Sequence, residues 1–326
     1  MGQGSGDGCD HHRNYLVHDL ALQPISASGG RREPMKGSSS LIDTTPLHVR
    51  EARRRRLIYV LLTAFFVITQ IIWVGVPVLM AVLWSLVDPQ HPWSFPQLFP
   101  EKLSWAQWAY VFKYTNIERA LKTSYSVAPL AVLLSFLLSL PTAYVLGRKN
   151  IPGKKVFMLV VLLPIIMPGM VVALFLSRVF AAFHLTQSFF GLVLAHTLMG
   201  IPYMIRVLTT SFESIPQDII DAAENLGANT FVKIKDIFLP MVRPGLLAGM
   251  VFAFTTSIEE FNLTFVIGTP TFETIPTILY SFLGYNFIRT NASVVALIMM
   301  TPNIVLLFIV ERILKADYLS ASLGKV

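Results

Sequence analysis

Six long apolar runs constrain this chain most, because each is long enough to cross a bilayer as a helix. A hydrocarbon core about 30 Å thick needs roughly 20 predominantly apolar residues. The runs lie at about 57–87, 120–147, 156–183, 189–210, 246–268 and 292–314. With 54% hydrophobic and 14% charged residues, the chain differs from soluble domains, about a quarter of whose residues are charged. The sequence therefore predicts an all-α polytopic membrane protein with six transmembrane helices.

Basic residues set the predicted orientation of these helices. Residues 53–56, all arginine, precede the first run, and four Lys or Arg residues lie in the short connection 148–155. In the connection before the last run, Arg289 is the only Lys or Arg residue. Because cytoplasmic loops carry an excess of Lys and Arg, both termini are predicted to be cytoplasmic. The net charge of +7 is thus explained by topology, and nucleic acid is not expected as a partner.

Three segments make up the predicted domain organisation. Residues 1–56 form a polar, basic tail predicted to be disordered, residues 57–314 form the membrane domain, and residues 315–326 form a short cytoplasmic tail. Cys9 is the only cysteine, which excludes an intrachain disulfide and a cysteine-based metal site. The histidines are scattered, so we predict no metal site, no bound cofactor and no catalytic residue in this chain.

The connection 211–243, between the fourth and fifth runs, carries the most specific pattern. Ser214 and Gln217 form a capping-box pattern ahead of a helix predicted over about 215–226. Gly227 is suited to end that helix in the left-handed conformation. One apolar face is expected on this helix, formed by Ile215, Ile219, Ala222, Ala223 and Leu226.

A second short helix is predicted after the glycine. Asn229 or Thr230 can cap its N-terminus, and Pro240 and Pro244 are expected to end it before the fifth run. The pattern therefore predicts a compact pair of helices on the cytoplasmic surface.

These residues resemble the EAA loop of ABC importer permeases. That family's pattern is Glu-Ala-Ala, three residues, Gly, nine residues and then Ile-x-Leu-Pro. Here Asp221-Ala222-Ala223, Gly227 and Ile237-Phe238-Leu239-Pro240 keep every spacing, and Asp221 stands where Glu is usual. The resemblance extends over about residues 115–314.

The resemblance implies a type I ABC importer permease-like fold, a place in the bacterial inner membrane and an alternating-access mechanism. Asp221, Ala222, Ala223 and Gly227 would dock on the ATPase, and Ile237, Leu239 and Pro240 would form a second coupling segment. The implied partners are a dimer of cytoplasmic ATPase subunits using ATP and Mg²⁺, a second permease, expected to be a paralogue, an extracytoplasmic substrate-binding protein and membrane lipid. The chain contains no Gly-x-x-x-x-Gly-Lys-[Ser/Thr] sequence, so ATP hydrolysis is expected in a separate subunit.

Ionisable residues inside the apolar runs are candidates for the translocation pathway, because charges in a bilayer are costly. They are Glu259 and Glu260 with the adjoining Phe261 and Asn262, together with Arg178 and His196. Two interpretations stay open. Either a carboxylate attracts a cationic solute, or it forms a structural or gating salt bridge with Arg178 or is simply exposed at the outer end of the span.

Residues 257–282 resemble the spermidine/putrescine branch of these permeases, which implies a polyamine as the favoured solute. Ferric iron and an opine-like or other organic solute stay open as alternatives. A different class of protein, an ion-driven secondary transporter or channel, would use Glu259 and Glu260 as ion sites.

Overall fold

The computed structural model describes residues 47–94 and 96–323, with side chains described in 54–94 and 96–315. The chain divides into two compact units at Leu62. Of the first unit, residues 47–62 are described, and they form the beginning of the first helix. The rest of that helix and all later described elements belong to the second unit, which begins at Thr63.

Helices make up the regular structure of the described residues, apart from one isolated antiparallel bridge between Val87 and Leu103. They are α1 (Leu47–Ser85), α2 (Ala106–Tyr114), α3 (Ile117–Arg148), α4 (Lys154–Ile166), α5 (Gly169–Ala182), α6 (Phe189–Glu213), α7 (Gln217–Asn225), α8 (Thr230–Val232), α9 (Leu239–Ile258), α10 (Ile275–Tyr280) and α11 (Arg289–Leu323). Three π-helical segments accompany them, Lys233–Phe238, Thr264–Gly268 and Ser281–Tyr285.

Within the described ranges, five helical stretches are long and apolar enough to cross a membrane, and the pair α4 and α5 makes six if it counts as one span. The five are Arg54–Ser85, Ile117–Arg148, Phe189–Glu213, Thr230–Ile258 and Arg289–Lys315. The predicted all-α fold with several apolar spans is therefore confirmed. The orientation of the termini stays a prediction.

The third predicted span, 156–183, is wrong as a single helix, because α4 and α5 meet at an angle of 101°. The break lies at Met167, whose φ and ψ are −76° and 145°. Pro168 follows Met167, and a proline disfavours helical dihedrals in the residue before it. Two short helices therefore replace one straight span.

The fifth predicted span, 246–268, is also wrong in its limits. A continuous helical stretch runs from Thr230 to Ile258 and takes in Pro240 and Pro244, which we expected to end a helix. In the π-helical segment, Leu239 N–H donates to the carbonyl of Ile234, five residues back. Pro240 directly follows this π-helical segment, and a local change to π-helical bonding re-satisfies backbone groups that a proline frees inside a membrane helix.

The predicted N-terminal tail is partly helical. Helix α1 already begins at Leu47, so residues 47–56, which we predicted as part of a disordered tail, are helical. Residues 1–46 lie outside the described part of the chain. At the other end the apolar span ends at Lys315, close to the predicted limit at residue 314, and α11 itself continues to Leu323.

Helix α6 lies between α3 and α9, and small residues bring the three together. A Cβ on Gly200 would lie 2.6 Å from Ser135 Oγ and 3.3 Å from Ala253 Cβ. Ser135 Oγ also donates to the carbonyl of Thr197 at 3.1 Å. Small residues and interhelical hydroxyl bonds of this kind hold membrane helices together. The connection that follows α6 is thus attached to the most tightly packed part of the bundle.

Candidate functional site

The connection after α6 turns back onto the bundle. Ile215 and Ile220 are buried in one cluster with Phe212 of α6 and Val242 of α9. The predicted capping box does not form, because Ser214 lies at the C-terminus of α6 and α7 begins only at Gln217. Ser214 Oγ donates to the carbonyl of Ser211 at 2.9 Å. Helix α7 instead follows Pro216, which makes no side-chain capping bond.

Gly227 ends α7 as predicted, with φ of +80° in the left-handed region. Its N–H donates to Glu224 O at 2.9 Å, and Ala228 N–H donates to Ala223 O at 2.9 Å. This is the Schellman arrangement, which glycine favours because it has no Cβ. Asn229 then caps α8, since its Oδ1 accepts from Val232 N–H at 2.9 Å.

The apolar side chains of α7 lie on two faces, and the prediction of one face is wrong. Ile215 precedes the helix and is buried, as is Ile220. Ile219 is 42% exposed and Leu226 is 88% exposed, and Ala222, between them, is exposed as well. The reason is that the membrane bundle covers only the side of α7 that carries Ile220. We call Ile219, Ala222 and Leu226 the outer face of α7.

Side chains attach α7 at both ends. At its C-terminal end, Lys233 Nζ lies 2.6 Å from Glu224 Oε1. At its N-terminal end, Arg148 Nη2 donates to Gln217 Oε1. Sequence reasoning used Arg148 only as a topology marker and missed this contact, for which the position of Arg148 directly after an apolar run is the only signal in the sequence.

The predicted second coupling segment lies partly inside the bundle. Ile237 is half-buried, and Leu239 and Pro240 are exposed. Between Ile237 and Leu239, Phe238 packs edge-on against Tyr144, with ring centroids 5.5 Å apart. Phe238 also packs against Phe212 of α6, with ring centroids 6.0 Å apart. A cavity of about 390 Å³ beside these rings is lined by residues of α3, α6, α9 and this segment. The π-helical segment is therefore connected to both helices through aromatic contacts.

His196 and Glu260, two of the predicted pathway residues, lie in one buried polar cluster. The His196 ring is 2% exposed and contacts Ser257 Oγ through Nδ1 at 2.8 Å and Thr264 Oγ1 through Nε2 at 2.9 Å. Glu260 is 8% exposed, and its Oε1 accepts from Leu263 N–H at 2.9 Å. This cluster joins α6 to the break that follows α9.

Glu259 and Arg178 do not join that cluster. Glu259 is exposed and accepts through Oε1 from Asn303 Nδ2 at 3.0 Å. Arg178 is exposed on α5, and within the described residues no salt bridge connects it to Glu259 or Glu260. The structure therefore does not form the salt bridge that was one of our two interpretations.

The remaining two predicted pathway residues pack at the same break. The Phe261 ring lies 5.1 Å from that of Phe265 and 4.6 Å from that of Tyr280. Asn262 touches the beginning of α5, where a Cβ on Gly169 would lie 2.5 Å from Asn262 Nδ2. The break between α4 and α5 is thus in contact with the break that follows α9. Irregular backbone at membrane depth is tolerated where protein or a water-filled cavity covers it.

Sequence reasoning missed three polar partners at these positions, Ser257, Thr264 and Asn303. Asn303 follows Pro302 inside an apolar run, and this is a signal that could have identified it. Within the described residues no group of three or more His, Cys, Asp or Glu side chains is placed to hold a metal ion.

Apolar helices long enough to span a bilayer, with an anchored surface helix between two of them, define a polytopic membrane protein. The chain belongs to the family of binding-protein-dependent transport system inner membrane components, which matches residues 139–317, more than half of its length. Two relatives and one solved structure show how far the similarity extends.

The molybdenum transport system permease protein ModB of Haemophilus influenzae is 34% identical over 181 residues, which are 50% of this chain and 79% of that protein. The sulfate transport system permease protein CysT of Salmonella typhimurium is 26% identical over 226 residues, 65% of this chain and 82% of that protein. A crystal structure of a bacterial ABC transporter involved in the import of the acidic polysaccharide alginate matches with a TM-score of 0.59 at 18% identity, covering 82% of this chain and 99% of that one. This last similarity shows the fold alone.

The chain is therefore the permease subunit of an ABC importer in the inner membrane. It works with an ATPase and a substrate-binding protein, and a separate ATPase subunit hydrolyses ATP, so the chain itself is not an enzyme. Family membership decides against an ion-driven secondary transporter or channel. The spermidine/putrescine branch stays a prediction, because these relatives are named for other solutes.

Proposed function

We propose that α7 is the coupling helix through which the ATPase drives transport, with Asp221, Ala222, Ala223 and Gly227 at the docking surface. The observation that carries this proposal is the exposed outer face of α7, on a helix whose opposite face is buried in the bundle. Helix α7 lies between two spanning stretches and hence at one surface of the bilayer. An amphipathic helix with a free apolar face fits a groove on a partner protein.

The chemistry of the outer face suits a protein groove better than open water. Leu226 is almost fully exposed and supplies an apolar anchor. Ala222 has a side chain small enough for close approach of the partner, and Asp221, also exposed, supplies a charge beside it. Aliphatic anchors surrounded by polar groups are typical of docking surfaces.

Movement of α7 has a direct path into the membrane helices. Ile220 lies in the same buried cluster as Phe212 of α6 and Val242 of α9. Closure of the ATPase dimer would displace α7 and, with it, the ends of these two helices. The segment formed by Ile237, Leu239 and Pro240 would move with them, turning the solute pathway from one side of the membrane to the other.

For the solute we propose an oxyanion of the molybdate or sulfate type, because relatives that align over most of their own length are named for molybdenum and sulfate transport. A polyamine is the second candidate. The observation that favours it is the exposed carboxylate of Glu259 beside Asn303, which would attract a cation. A second permease subunit, expected to be a paralogue, would complete the pathway.

Replacing Leu226 with aspartate tests the docking role of α7, and the choice of labelled solute tests the proposed substrate. The experiment uses cells that express the chain with its own ATPase and binding protein. We expect radiolabelled molybdate or sulfate uptake to fall by about tenfold or more, since central anchors contribute about 2 kcal/mol or more to docking. Leu98→Asp is the matched control, because Leu98 is 84% exposed and lies outside α7. Normal uptake by the Leu226 variant would overturn the coupling assignment. If the unchanged chain takes up spermidine and not molybdate or sulfate, a polyamine becomes the proposed solute.

A further inference from the structure

Arg148, the last residue of α3, contacts the connection between α6 and α7 at three points. Its Nη1 donates to Ile215 O at 2.8 Å and to Phe212 O at 3.3 Å. Its Nη2 donates to Gln217 Oε1, on the first residue of α7. A single guanidinium therefore joins the end of one spanning helix to the end of another and to the beginning of α7.

The acceptors explain why this position holds an arginine. The last carbonyls of a helix have no partner within the helix and carry partial negative charge. The planar guanidinium presents several N–H donors in a fixed fork, whereas a lysine ammonium is a single point charge. One arginine can therefore bind the Phe212 carbonyl at the end of α6, the Ile215 carbonyl just beyond it and Gln217 at the same time. A lysine cannot reproduce this geometry.

Gly147, directly before Arg148, brings the two helix ends close enough for these bonds. A Cβ at this position would lie 2.6 Å from Phe212 Cβ and 2.9 Å from Thr209 O. The ends of α3 and α6 are thus in contact at the backbone. Because they are in contact, the Arg148 side chain, which is half-buried, is held over the end of α6.

The hydrogen bonds continue from Arg148 to the docking surface. Gln217 Nε2 donates to Asp221 Oδ1 at 2.8 Å, across one turn of α7. Asp221 is the residue that stands where related coupling loops have glutamate, and its side chain is one methylene shorter. The bond from Gln217 fixes the direction of this shorter carboxylate, which stays exposed at the surface of α7.

We propose that Arg148 is a positioning residue for energy coupling, acting through Gln217 on Asp221. In this arrangement Arg148 keeps α7 in register with α3 and α6, so that a displacement of α7 moves the spanning helices and is not lost at the α6–α7 connection. Gln217 in turn directs the Asp221 carboxylate towards a basic group of the ATPase. The inference rests on the proposed docking role of α7.

The test uses the purified complex of the chain with its ATPase and binding protein in lipid nanodiscs. Two quantities are measured, the amount of ATPase that stays bound and the rate of ATP hydrolysis with molybdate, sulfate or spermidine added. We expect Arg148→Ala to retain the ATPase and to lose about tenfold in stimulated hydrolysis, a typical coupling factor between two sites. Arg148→Lys is expected not to restore the rate, since it keeps the charge and loses the fork.

We call the hydrogen bonds from Arg148 through Gln217 to Asp221 the relay. A double-mutant cycle distinguishes loss of the relay from a general weakening of the fold. Gln217→Leu, at an exposed position, is expected to lose stimulated hydrolysis as well. The Arg148→Ala, Gln217→Leu double variant is expected to be no worse than Arg148→Ala, because Arg148→Ala has already broken the bond to Gln217. Lys154→Ala is the matched control, since it removes a salt bridge of 2.7 Å to Glu213 outside the relay.

Each outcome of the experiment decides a different point. If Arg148→Ala does not insert in the membrane, the relay is tested by the stimulated hydrolysis of Gln217→Leu alone. Normal stimulated hydrolysis in Gln217→Leu, or losses that add in the double variant, would overturn the relay while leaving the coupling helix in place. A wild-type complex that does not retain its ATPase would overturn the proposed function itself, and the relay with it.

Discussion

Replacing Gly227 with valine is expected to reduce uptake by about tenfold while the chain still inserts in the membrane. The residue adopts φ of +80°, and a side chain in the left-handed region costs roughly 1–2 kcal/mol, about a tenfold change in a docking equilibrium. A Cβ at this position would meet nothing within 4 Å. The cost is therefore conformational and confined to the turn between α7 and α8, which orients the outer face of α7.

Gly227→Asn is the matched variant for this prediction, because asparagine is accepted at left-handed helix ends. We expect it to keep uptake close to that of the unchanged chain, measured in the same cells and corrected for the amount of chain in the membrane. Equal losses in the valine and asparagine variants would show that side-chain bulk, and not backbone conformation, disturbs docking. Full uptake with valine would contradict the role of this turn.

The second large effect is expected from His196→Leu, which should lower both the yield and the melting temperature of the purified chain. The His196 ring bonds to Ser257 Oγ and Thr264 Oγ1 inside the bundle. Leucine makes neither bond, and leaving a buried hydroxyl unpaired costs about 1–3 kcal/mol. The lost stability concerns the contact between α6 and the break after α9. The backbone near this break is irregular and depends on side-chain hydrogen bonds.

His184→Asn is the control for this experiment. His184 is exposed and has φ of 55°, and asparagine tolerates that conformation, so its replacement should leave the melting temperature unchanged. Thermal unfolding in detergent, followed by loss of monodisperse protein, measures the difference. An unchanged melting temperature in His196→Leu would show that the ring contributes little to folding.

The turn between α7 and α8 could be predicted from the sequence because its signals are local. Gly227 and Asn229 act within one turn of their own position, and both behave as predicted. The single apolar face was wrong for a different reason. The sequence shows which residues of α7 are apolar, but only the packed bundle decides that Ile220 is covered and that Ile219 and Leu226 are not.

The interruptions of the third and fifth spans were not predicted, because hydropathy measures how apolar a run is and not where its backbone bends. Residues on both sides of Pro168 are apolar, so the bend of 101° leaves no change in hydropathy. The break after Ile258 also explains the hydrogen bond of the Glu260 side chain. Its carboxylate accepts from Leu263 N–H, a donor that a continuous helix would have used itself.

Arg148 shows a further limit of sequence reasoning. As a basic residue at the end of an apolar run it is fully explained by topology, and nothing in the sequence requires a second role. The role emerges only when α3 and α6 are packed, since Phe212 O and Ile215 O are more than sixty positions away along the chain. Contacts between distant segments are the part of the site that a single sequence does not contain.

Site-specific cross-linking between α7 and the ATPase tests the central claim most directly. In a chain whose only cysteine, Cys9, is replaced by serine, a cysteine introduced by Leu226→Cys should form a cross-link to the ATPase subunit through a short bifunctional reagent. Leu98→Cys, equally exposed and outside α7, should form none. The account predicts a Leu226 cross-link whose yield changes when ATP is added. A complex that hydrolyses ATP and imports solute but gives no cross-link at Leu226 would contradict it.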